Sequence, residues 1–298
     1  KNFIIYMKIL ISDFPNSGWW PSGIPKYEDN PAMIEGAIPN MNIAKVERDK
    51  LINSITMLGH DVVEIQFPIE LDKGEIKHDF IFVRDSFISN QNGKAIILRA
   101  GQPQRRIENR IIEQYLKNLN MKTVQIPDRN GIRADGGEFY YCKKENILFS
   151  GLKRNTISGA KYVAKELDVE KMIILEGEGY HLDTFFSPVL NINGYIVALI
   201  VCLEILLKSS IERLYKFANH RNIPILGIPP RDSIGTKKEI GNFAANALPL
   251  PGALIRPNKF SDSQINEKLK ELEIKQVITP TSQFQLSGGA VHCLTNEL

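Results

Sequence analysis

A helix followed by a short strand recurs five times along the 298-residue chain, at intervals of roughly fifty to sixty residues. Each helical segment carries apolar residues at the spacing of an amphipathic helix, and each strand is short and rich in Ile and Val. A regular period of this length indicates repeated supersecondary units. The predicted helix and strand pairs are residues 43–58 with 62–68, 105–119 with 123–127, 158–167 with 172–175, 204–218 with 224–229, and 263–272 with 277–280.

Further strand candidates lie between these pairs, so the predicted unit is strand–strand–helix–strand. Residues 79–89 are expected to pair with 94–99, and 137–142 with 147–150. This pattern favours one closed or propeller-like α/β domain over residues 1–298. A doubly wound sheet is the alternative, because its strands also alternate with helices. Against it, no glycine-rich phosphate loop follows the first strand candidate, and no linker-like segment divides the chain.

Composition excludes several classes of function. The chain is 43% hydrophobic and 24% charged, which is enough for a large core, and its 37 basic and 34 acidic residues nearly balance. Without a basic run interleaved with aromatics, we expect no nucleic-acid partner. Cys142, Cys202 and Cys293 are odd in number and widely spaced, which is typical of a reducing, cytoplasmic compartment. No CxxC or HExxH motif is present, so no metal site is predicted.

No membrane segment is predicted either. The first ten residues are mildly apolar but do not resemble a signal peptide, since Asp13 and Pro15 follow. Residues 197–207 form the most apolar run, yet this run spans only eleven residues and contains Glu204. We interpret it as core, with a homodimer face as the alternative.

Polar residues interrupt apolar stretches at three places, and a cysteine follows a Gly-Gly pair at a fourth. Asp85 lies in FVRDS, Asp135 precedes Gly-Gly in ADGGEF, and His181 and Asp183 lie two apart in HLD. On a strand, residues two apart face the same way, so this last pair is predicted to address one ligand. Taken alone, each of these acidic or histidine residues is better explained as a surface residue. Cys293, taken alone, is better explained as a small buried hydrophobic residue. Together they favour a functional site, because a charge buried away from water must be paired with an opposite charge or serve a function.

The motifs FVRDS, ADGGEFYY, GLKRNT, HLDTFF and GGAVHCLTNEL, in this order from about residue 79 to the C-terminus, resemble the pentein or guanidino-group-modifying superfamily. Arginine deiminase, dimethylarginine dimethylaminohydrolase and the amidinotransferases belong to it. The resemblance implies a five-bladed, pseudo-symmetric α/β-propeller of ββαβ repeats. It also implies a small-molecule guanidino substrate and chemistry that uses neither a metal nor an organic cofactor.

The resemblance assigns roles to seven residues, and the chemistry of a guanidinium agrees with them. Its carbon is a poor electrophile, so a thiolate is the side-chain nucleophile best suited to attack it. Carboxylates form bidentate contacts with its nitrogens. The residues implied are Cys293 as nucleophile, His181 as acid/base, Asp135 as its orienting carboxylate, Asp85 and Asp183 as guanidinium ligands, and Arg154 and Arg105 as ligands of the substrate α-carboxylate.

The predicted activity is a cysteine-dependent hydrolase that acts on arginine or a close, possibly methylated, analogue and gives a ureido product such as citrulline. HLD and FVRDS resemble the deiminases, whereas the compact length is similar to that of dimethylargininases. An amidinotransferase, which passes the amidino group to an amine, is the first alternative. A non-catalytic binding protein is the second, but a complete set of Cys293, His181 and Asp135 favours catalysis.

Three further features receive interpretations outside the predicted site. The loop at residues 13–40 contains Trp19 and Trp20, which either fill a gap on the surface or form a lid over a cleft. His292 is expected to point away from Cys293, as neighbours on a strand do. His60 is expected to be solvated.

Overall fold

Five three-stranded sheets form the framework of the computed structural model, which describes residues 5–73, 79–129, 131–236 and 238–298. The strands are β1 (Lys8–Ser12), β2 (Asp61–Ile65), β3 (Phe87–Ser89), β4 (Lys94–Ile97), β5 (Lys122–Gln125), β6 (Phe139–Cys142), β7 (Ile147–Ser150), β8 (Lys171–Ile174), β9 (Phe186–Leu190), β10 (Ile196–Val201), β11 (Ile225–Gly227), β12 (Leu248–Leu250), β13 (Ala253–Arg256), β14 (Lys275–Ile278) and β15 (Asn296–Glu297). The helices are α1 (Met41–Met57), α2 (Ile69–Asp72), α3 (Arg106–Asn118), α4 (Ile157–Leu167), α5 (Lys208–Arg221), α6 (Ser263–Glu271) and α7 (Ser282–Gln285).

Every sheet has the same connectivity. Its first strand pairs antiparallel with the middle strand, and the middle strand pairs in parallel with the third. A helix connects the two parallel strands, as parallel neighbours require. The predicted ββαβ repeat is therefore confirmed. One boundary was wrong: α5 begins at Lys208, because the preceding residues form a turn in which Leu206 bridges to Gly177.

The two ends of the chain share one sheet. β15 pairs antiparallel with β1, and β1 pairs in parallel with β2 after the crossover through α1. The last described strand, β15, and the first, β1, thus belong to the same blade. β15 also contacts β3, the first strand of the next blade. The ring of five blades is closed in this way.

The first strand of each blade lies innermost. β3 and β12 are buried at every residue, whereas β5, the outer strand of its blade, is exposed or half-buried throughout. β9 also contacts β12 of the neighbouring blade. The five inner strands (β3, β6, β9, β12 and β15) therefore surround the pseudo-axis of the propeller.

The polar motifs precede these inner strands as single turns of 3₁₀-helix, not as strands. Residues Val83–Ser86, Gly136–Glu138 and Leu182–Thr184 adopt this conformation. The prediction that FVRDS and HLD are strands was wrong, because each backbone closes short turns, such as Asp85 N–H to Phe82 O. All three turns lead into inner strands, so their side chains gather at one end of the axis.

The loop with the two tryptophans belongs to the hydrophobic core. Trp19 is 1% exposed and packs edge-on against Phe82, and the Trp20 indole donates to Asp79 Oδ1 at 3.0 Å. Neither tryptophan lies on the surface. The run at 197–207 contributes β10 and is core as predicted, and among the described helices none is both long and apolar enough to cross a membrane.

Ring closure depends on a buried amide, which gives a first test. The Asn296 Nδ2 amide donates to the carbonyls of Val83, Arg84 and Phe87 at 2.9–3.3 Å. We expect Asn296→Ala to lower the free energy of unfolding by about 2 kcal/mol, since it leaves buried carbonyls unpaired. Urea unfolding followed by circular dichroism measures this. Asn53→Ala, on the exposed face of α1, is the matched control, and equal effects of both changes would contradict the assignment.

Candidate active site

Five of the seven predicted site residues line one small cavity where the 3₁₀ turns meet the inner strands. Asp85, Arg105, Arg154, His181 and Cys293 surround this cavity of about 20 Å³, which has room for about one water molecule. The other two are in contact with members of this group. Asp135 hydrogen-bonds to His181, and Asp183 lies against Cys293.

The segment that carries Cys293 consists of turns. Gly288 has φ of +80°, a conformation that favours glycine, and its carbonyl accepts a hydrogen bond from the Tyr180 hydroxyl. The chain then makes a tight turn in which Leu294 N–H donates to Ala290 O at 3.1 Å. This turn brings the Cys293 thiol to the end of the axis. The change of direction explains Gly288, whereas Gly289 is required because a Cβ there would lie 2.3 Å from the Phe82 ring.

The thiol is protonated in the free protein. Burial raises the pKa of Cys293 well above its ordinary value, and the carboxyl groups of Asp183 and Asp85 raise it further. The Asn246 Nδ2 amide opposes them by donating to Cys293 Sγ at 3.2 Å. A cation placed beside the sulfur would lower this pKa and favour the thiolate.

His181 and Asp135 form a buried pair. His181 Nε2 lies 3.1 Å from Asp135 Oδ2 and 3.2 Å from the Arg154 guanidinium, while its Nδ1 is 3.7 Å from Asp85 Oδ1. Burial alone would lower the pKa of His181, but Asp85 and Asp135 outweigh it and the pKa is raised. The pKa of Asp135 is lowered, since the hydrogen bond from His181 and the charge of Arg154 overcome its desolvation. The raised pKa favours the imidazolium, which is the form that can donate a proton.

A close approach of backbone to His181 explains the Gly-Gly of ADGGEF. A Cβ built on Gly137 would lie 2.4 Å from His181 Nδ1, closer than any side chain can come. The Gly137 N–H donates to Asp85 Oδ1 at 3.1 Å. The glycine thus joins two of the predicted site residues through its backbone.

Arg105 holds Asp85 in place. Its Nη1 donates to Asp85 Oδ2 at 2.6 Å, and its Nε and Nη2 bind Glu108 at 2.8–3.2 Å. All three side chains are buried. Both oxygens of Asp85 are thus engaged, one by Arg105 and the other by a backbone amide. In this geometry the Arg105 guanidinium contacts Asp85 and Glu108, and its role as a ligand of the substrate, which the resemblance implies, stays a prediction.

Asp183 keeps one carboxylate oxygen without a partner. Its Oδ2 lies 2.8 Å from His292 Nδ1 and 3.5 Å from Cys293 Sγ, while Oδ1 has no hydrogen-bond partner among the described residues. Burial raises the pKa of Asp183 to about 7. A buried, half-satisfied carboxylate beside a thiol is suited to bind a cation.

His292 contacts the site only through Asp183, whose Oδ2 lies 2.8 Å from His292 Nδ1. Among the described residues it does not line the cavity that Cys293 lines, which agrees with the expectation that the two side chains point in different directions. His60 was misjudged, since it is buried and its Nδ1 accepts from Met7 N–H at 3.3 Å.

Arg154 is occupied by an acidic residue of the loop at 13–40. Its Nε and Nη2 bind both oxygens of Asp29 at 2.7 and 3.0 Å. Tyr27 and Asn30 of the same loop line the cavity. The loop thus closes over the site through Asp29, while its tryptophans lie in the core.

Besides the residues of the loop at 13–40, three more residues at the site received no role from the sequence. Asn246 touches Cys293 and also donates to the backbone carbonyl of Asp183 at 3.1 Å. Glu138 accepts backbone hydrogen bonds from Arg154 and Leu182 at 2.6 and 3.0 Å and so ties two motifs together. Asp79 lines the cavity beside Arg105. A polar residue inside the apolar run FAANALPL was the one available signal for Asn246.

Comparison with known sequences gives partial matches. The chain is 29% identical over 163 residues to the bifunctional arginine dihydrolase/ornithine cyclodeaminase ArgZ of Synechocystis sp., which covers 53% of this chain and 21% of that protein. It is 28% identical over 144 residues to the bifunctional enzyme AgrE of Nostoc sp., covering 48% and 18%. The chain therefore spans about a fifth of the length of the curated relatives it matches. No family model matches the chain.

Comparison with solved structures establishes the fold. The N-terminal domain of ArgZ, an arginine dihydrolase from cyanobacteria solved with substrate bound, superimposes with a TM-score of 0.78 at 21% identity, covering 98% of this chain and 97% of that one. A dimethylarginine dimethylaminohydrolase adduct superimposes with a TM-score of 0.71 at 17% identity, covering 99% and 100%. The chain thus has the pentein fold, and the resemblance predicted from its motifs is confirmed at this level.

The hydrogen bond from Asn246 gives a test of the thiol's surroundings. Asn246→Asp keeps the shape of the side chain but replaces the N–H donor with a carboxyl oxygen. We expect the pKa of Cys293 to rise and its alkylation by iodoacetamide at pH 8 to slow by at least about tenfold, as one pKa unit requires. Mass spectrometry of the Cys293 peptide measures the rate. Asn266→Asp, on α6, is the matched control, and an unchanged rate in Asn246→Asp would contradict this role.

Proposed function

We propose that this protein is a hydrolase of the guanidinium group of arginine or a close analogue, acting through a covalent intermediate on Cys293. The observation that carries the proposal is the arrangement of Cys293 beside the half-satisfied carboxylate of Asp183, with the His181–Asp135 pair lining the same site. The fold shared with an arginine dihydrolase domain supports it. We also propose that the five blades act as one catalytic domain, without a metal or organic cofactor.

The substrate's own charge activates the thiol in this mechanism. A guanidinium that binds the free oxygen of Asp183 brings a positive charge next to Cys293 and lowers the pKa of its thiol. The thiol proton passes to a nearby base, and Asp183 Oδ2, at 3.5 Å from the sulfur, is the nearest acceptor that the geometry offers. The sulfur then forms a bond to the guanidinium carbon.

His181 handles the protons of the two following steps. As a cation it donates a proton to the leaving nitrogen, so that the C–N bond breaks and ammonia departs. The neutral imidazole then takes a proton from water, which attacks the carbon and breaks the C–S bond. The products are a ureido compound and the regenerated thiol, and the proton held by Asp183 leaves with ammonia, so protonated arginine and water give citrulline and ammonium. Asp135 keeps the ring in position through its 3.1 Å hydrogen bond.

Substrate entry requires the loop at 13–40 to move. The cavity of about 20 Å³ is too small for an amino acid, and Asp29 occupies the guanidinium of Arg154. A substrate α-carboxylate offers Arg154 the same bidentate partner and would take the place of Asp29. We therefore propose that Arg154 binds the substrate carboxylate once Asp29 has withdrawn, and that Arg105 acts through Asp85.

An amidinotransferase is the second candidate, because it would use the same thiol and acid. The fold shared with an arginine dihydrolase domain favours the hydrolase. A non-catalytic binding protein would not require an acid–thiol arrangement of this kind.

Product analysis separates these functions. We expect purified protein to release citrulline and ammonia from arginine with no amine present, and Cys293→Ser to lower kcat by at least about a thousandfold, since it removes the nucleophile. Cys142→Ser, in a core position, is the matched control and should remain active. Turnover only when glycine is added would indicate an amidinotransferase. No product from arginine, methylated arginines or agmatine would contradict the proposal.

The titration of Asp183 predicts how substrate binding depends on pH. Its pKa of about 7 in the folded protein means that the carboxylate needed by a guanidinium forms as the pH rises through that value. In Cys293→Ser, we expect the affinity for arginine to increase up to roughly tenfold per pH unit below 7 and to level off above it. Calorimetric titration measures the affinity. Asp183→Asn should bind weakly with a flat pH profile, and a flat profile in Cys293→Ser alone would contradict this role.

A further inference from the structure

A second, larger cavity lies on the pseudo-axis, behind the candidate active site. It holds about 320 Å³, within the range of small-molecule sites, and every blade contributes a residue of its inner strand. These residues are Ile88 of β3, Tyr140 of β6, Leu190 of β9, Pro249 of β12 and Glu297 of β15. We call it the rear pocket.

The same two turns supply both cavities with neighbouring residues. Asp85 and Cys293 line the candidate active site, whereas the adjacent Arg84 and His292 line the rear pocket. Arg84 Nε also donates to the backbone carbonyl of His292 at 3.3 Å. The two cavities are thus separated by a single layer of side chains.

Two buried polar atoms in this layer lack partners. Arg84 is 4% exposed and His292 1%, yet Arg84 Nη2 and His292 Nε2 have no hydrogen-bond partner among the described residues. Unsatisfied donors at this depth cost free energy and are rare in native proteins. Because both residues line the rear pocket, a ligand there is well placed to satisfy them.

The charges of the rear pocket identify the chemistry of that ligand. Arg84 Nη1 binds Glu297 at 2.7 Å, which neutralises one cation, while Lys143 and Lys144 add two more at the rim. The excess positive charge and the free Arg84 Nη2 favour an anion. The apolar walls of Ile88, Leu190 and the prolines require the rest of the ligand to be apolar.

We propose that the rear pocket binds a small carboxylic acid with an apolar body, whose carboxylate accepts hydrogen bonds from Arg84 Nη2 and His292 Nε2. Its body would pack between the inner strands against Leu190, in contact with the Tyr140 ring that already stacks on His292 at 4.2 Å.

A ligand in the rear pocket should weaken the binding of a guanidinium at Asp183 in the candidate active site. This expectation rests on the proposed function. Burial and the charge of Arg84 keep the pKa of His292 well below its ordinary value, so the ring carries a single N–H. A carboxylate at Nε2 needs that N–H, which leaves Nδ1 an acceptor. Asp183, 2.8 Å away, must then carry a proton to keep its hydrogen bond. Protonated Asp183 binds a guanidinium less well, and the coupling is reciprocal.

The experiment uses benzoate as the probe, with calorimetric titration of the whole chain. Benzyl alcohol tests the need for the carboxylate, and inorganic phosphate tests the need for the apolar body. We expect benzoate to bind and each of the other two to bind at least about tenfold more weakly, because benzyl alcohol loses the charge-assisted hydrogen bonds and phosphate loses the apolar contacts. Equal binding of all three compounds, or no binding of benzoate, would overturn the proposal.

Two variants locate the binding. Leu190→Phe fills the apolar wall, and we expect it to weaken benzoate at least about tenfold while activity on arginine is unchanged. Arg84→Gln should weaken benzoate as well, and Ile278→Phe, at an exposed position of β14, is the matched control. If benzoate bound Leu190→Phe as tightly as the unchanged protein, its binding site would lie elsewhere and the proposal would be overturned.

The coupling is measured separately in Cys293→Ser, as the affinity for arginine with and without saturating benzoate. A several-fold loss of affinity is expected in Cys293→Ser and none in Asp183→Asn. Because benzoate binding is read from heat and not from turnover, an inactive protein would contradict the proposed function and leave the rear pocket assignment standing.

Discussion

The structure depends on burying negative charge at one end of the propeller axis. Asp85, Asp135 and Asp183 all have their carboxylates out of water, where an unpaired charge is costly. Arg105 compensates the first, and His181 with Arg154 the second. Asp183 has no cationic partner within hydrogen-bond distance in the described residues, and burial raises its pKa to about 7. A cation bound there would compensate this carboxylate, which is the role that the proposed function gives to the guanidinium.

Ring closure is what brings these charges together. Each blade delivers a short turn to the same end of the axis, and the fifth blade is completed only when β15 pairs with β1. Cys293 lies just before β15, so the proposed nucleophile is held by the same pairing that closes the ring. Asn296 and the Arg84–Glu297 ion pair bind this strand to the turn that carries Asp85. Fold stability and site geometry are thus linked through one strand.

The sequence predicted the repeat, and it singled out residues that the structure brings together at one end of the axis, for physical reasons. Helix and strand periodicities survive in each blade because each must bury an apolar face, and charged residues inside apolar runs mark places where burial is compensated. It could not predict local conformation where turns replaced strands, as in FVRDS and HLD, because hydrogen bonds within each turn override the apolar pattern. Asn246 and Asp29 were missed because their roles come from contacts with residues far along the chain.

The most direct test of covalent catalysis at Cys293 is the mass of the adduct on the Cys293 peptide after the protein is mixed with arginine and quenched in acid. The proposed hydrolase mechanism predicts an adduct with the mass of arginine less ammonia, because a terminal nitrogen leaves while the carbon skeleton stays on the sulfur. An amidinotransferase would instead leave only the amidino group on the cysteine. Absence of any adduct on Cys293 while citrulline is released would contradict a covalent mechanism at this residue.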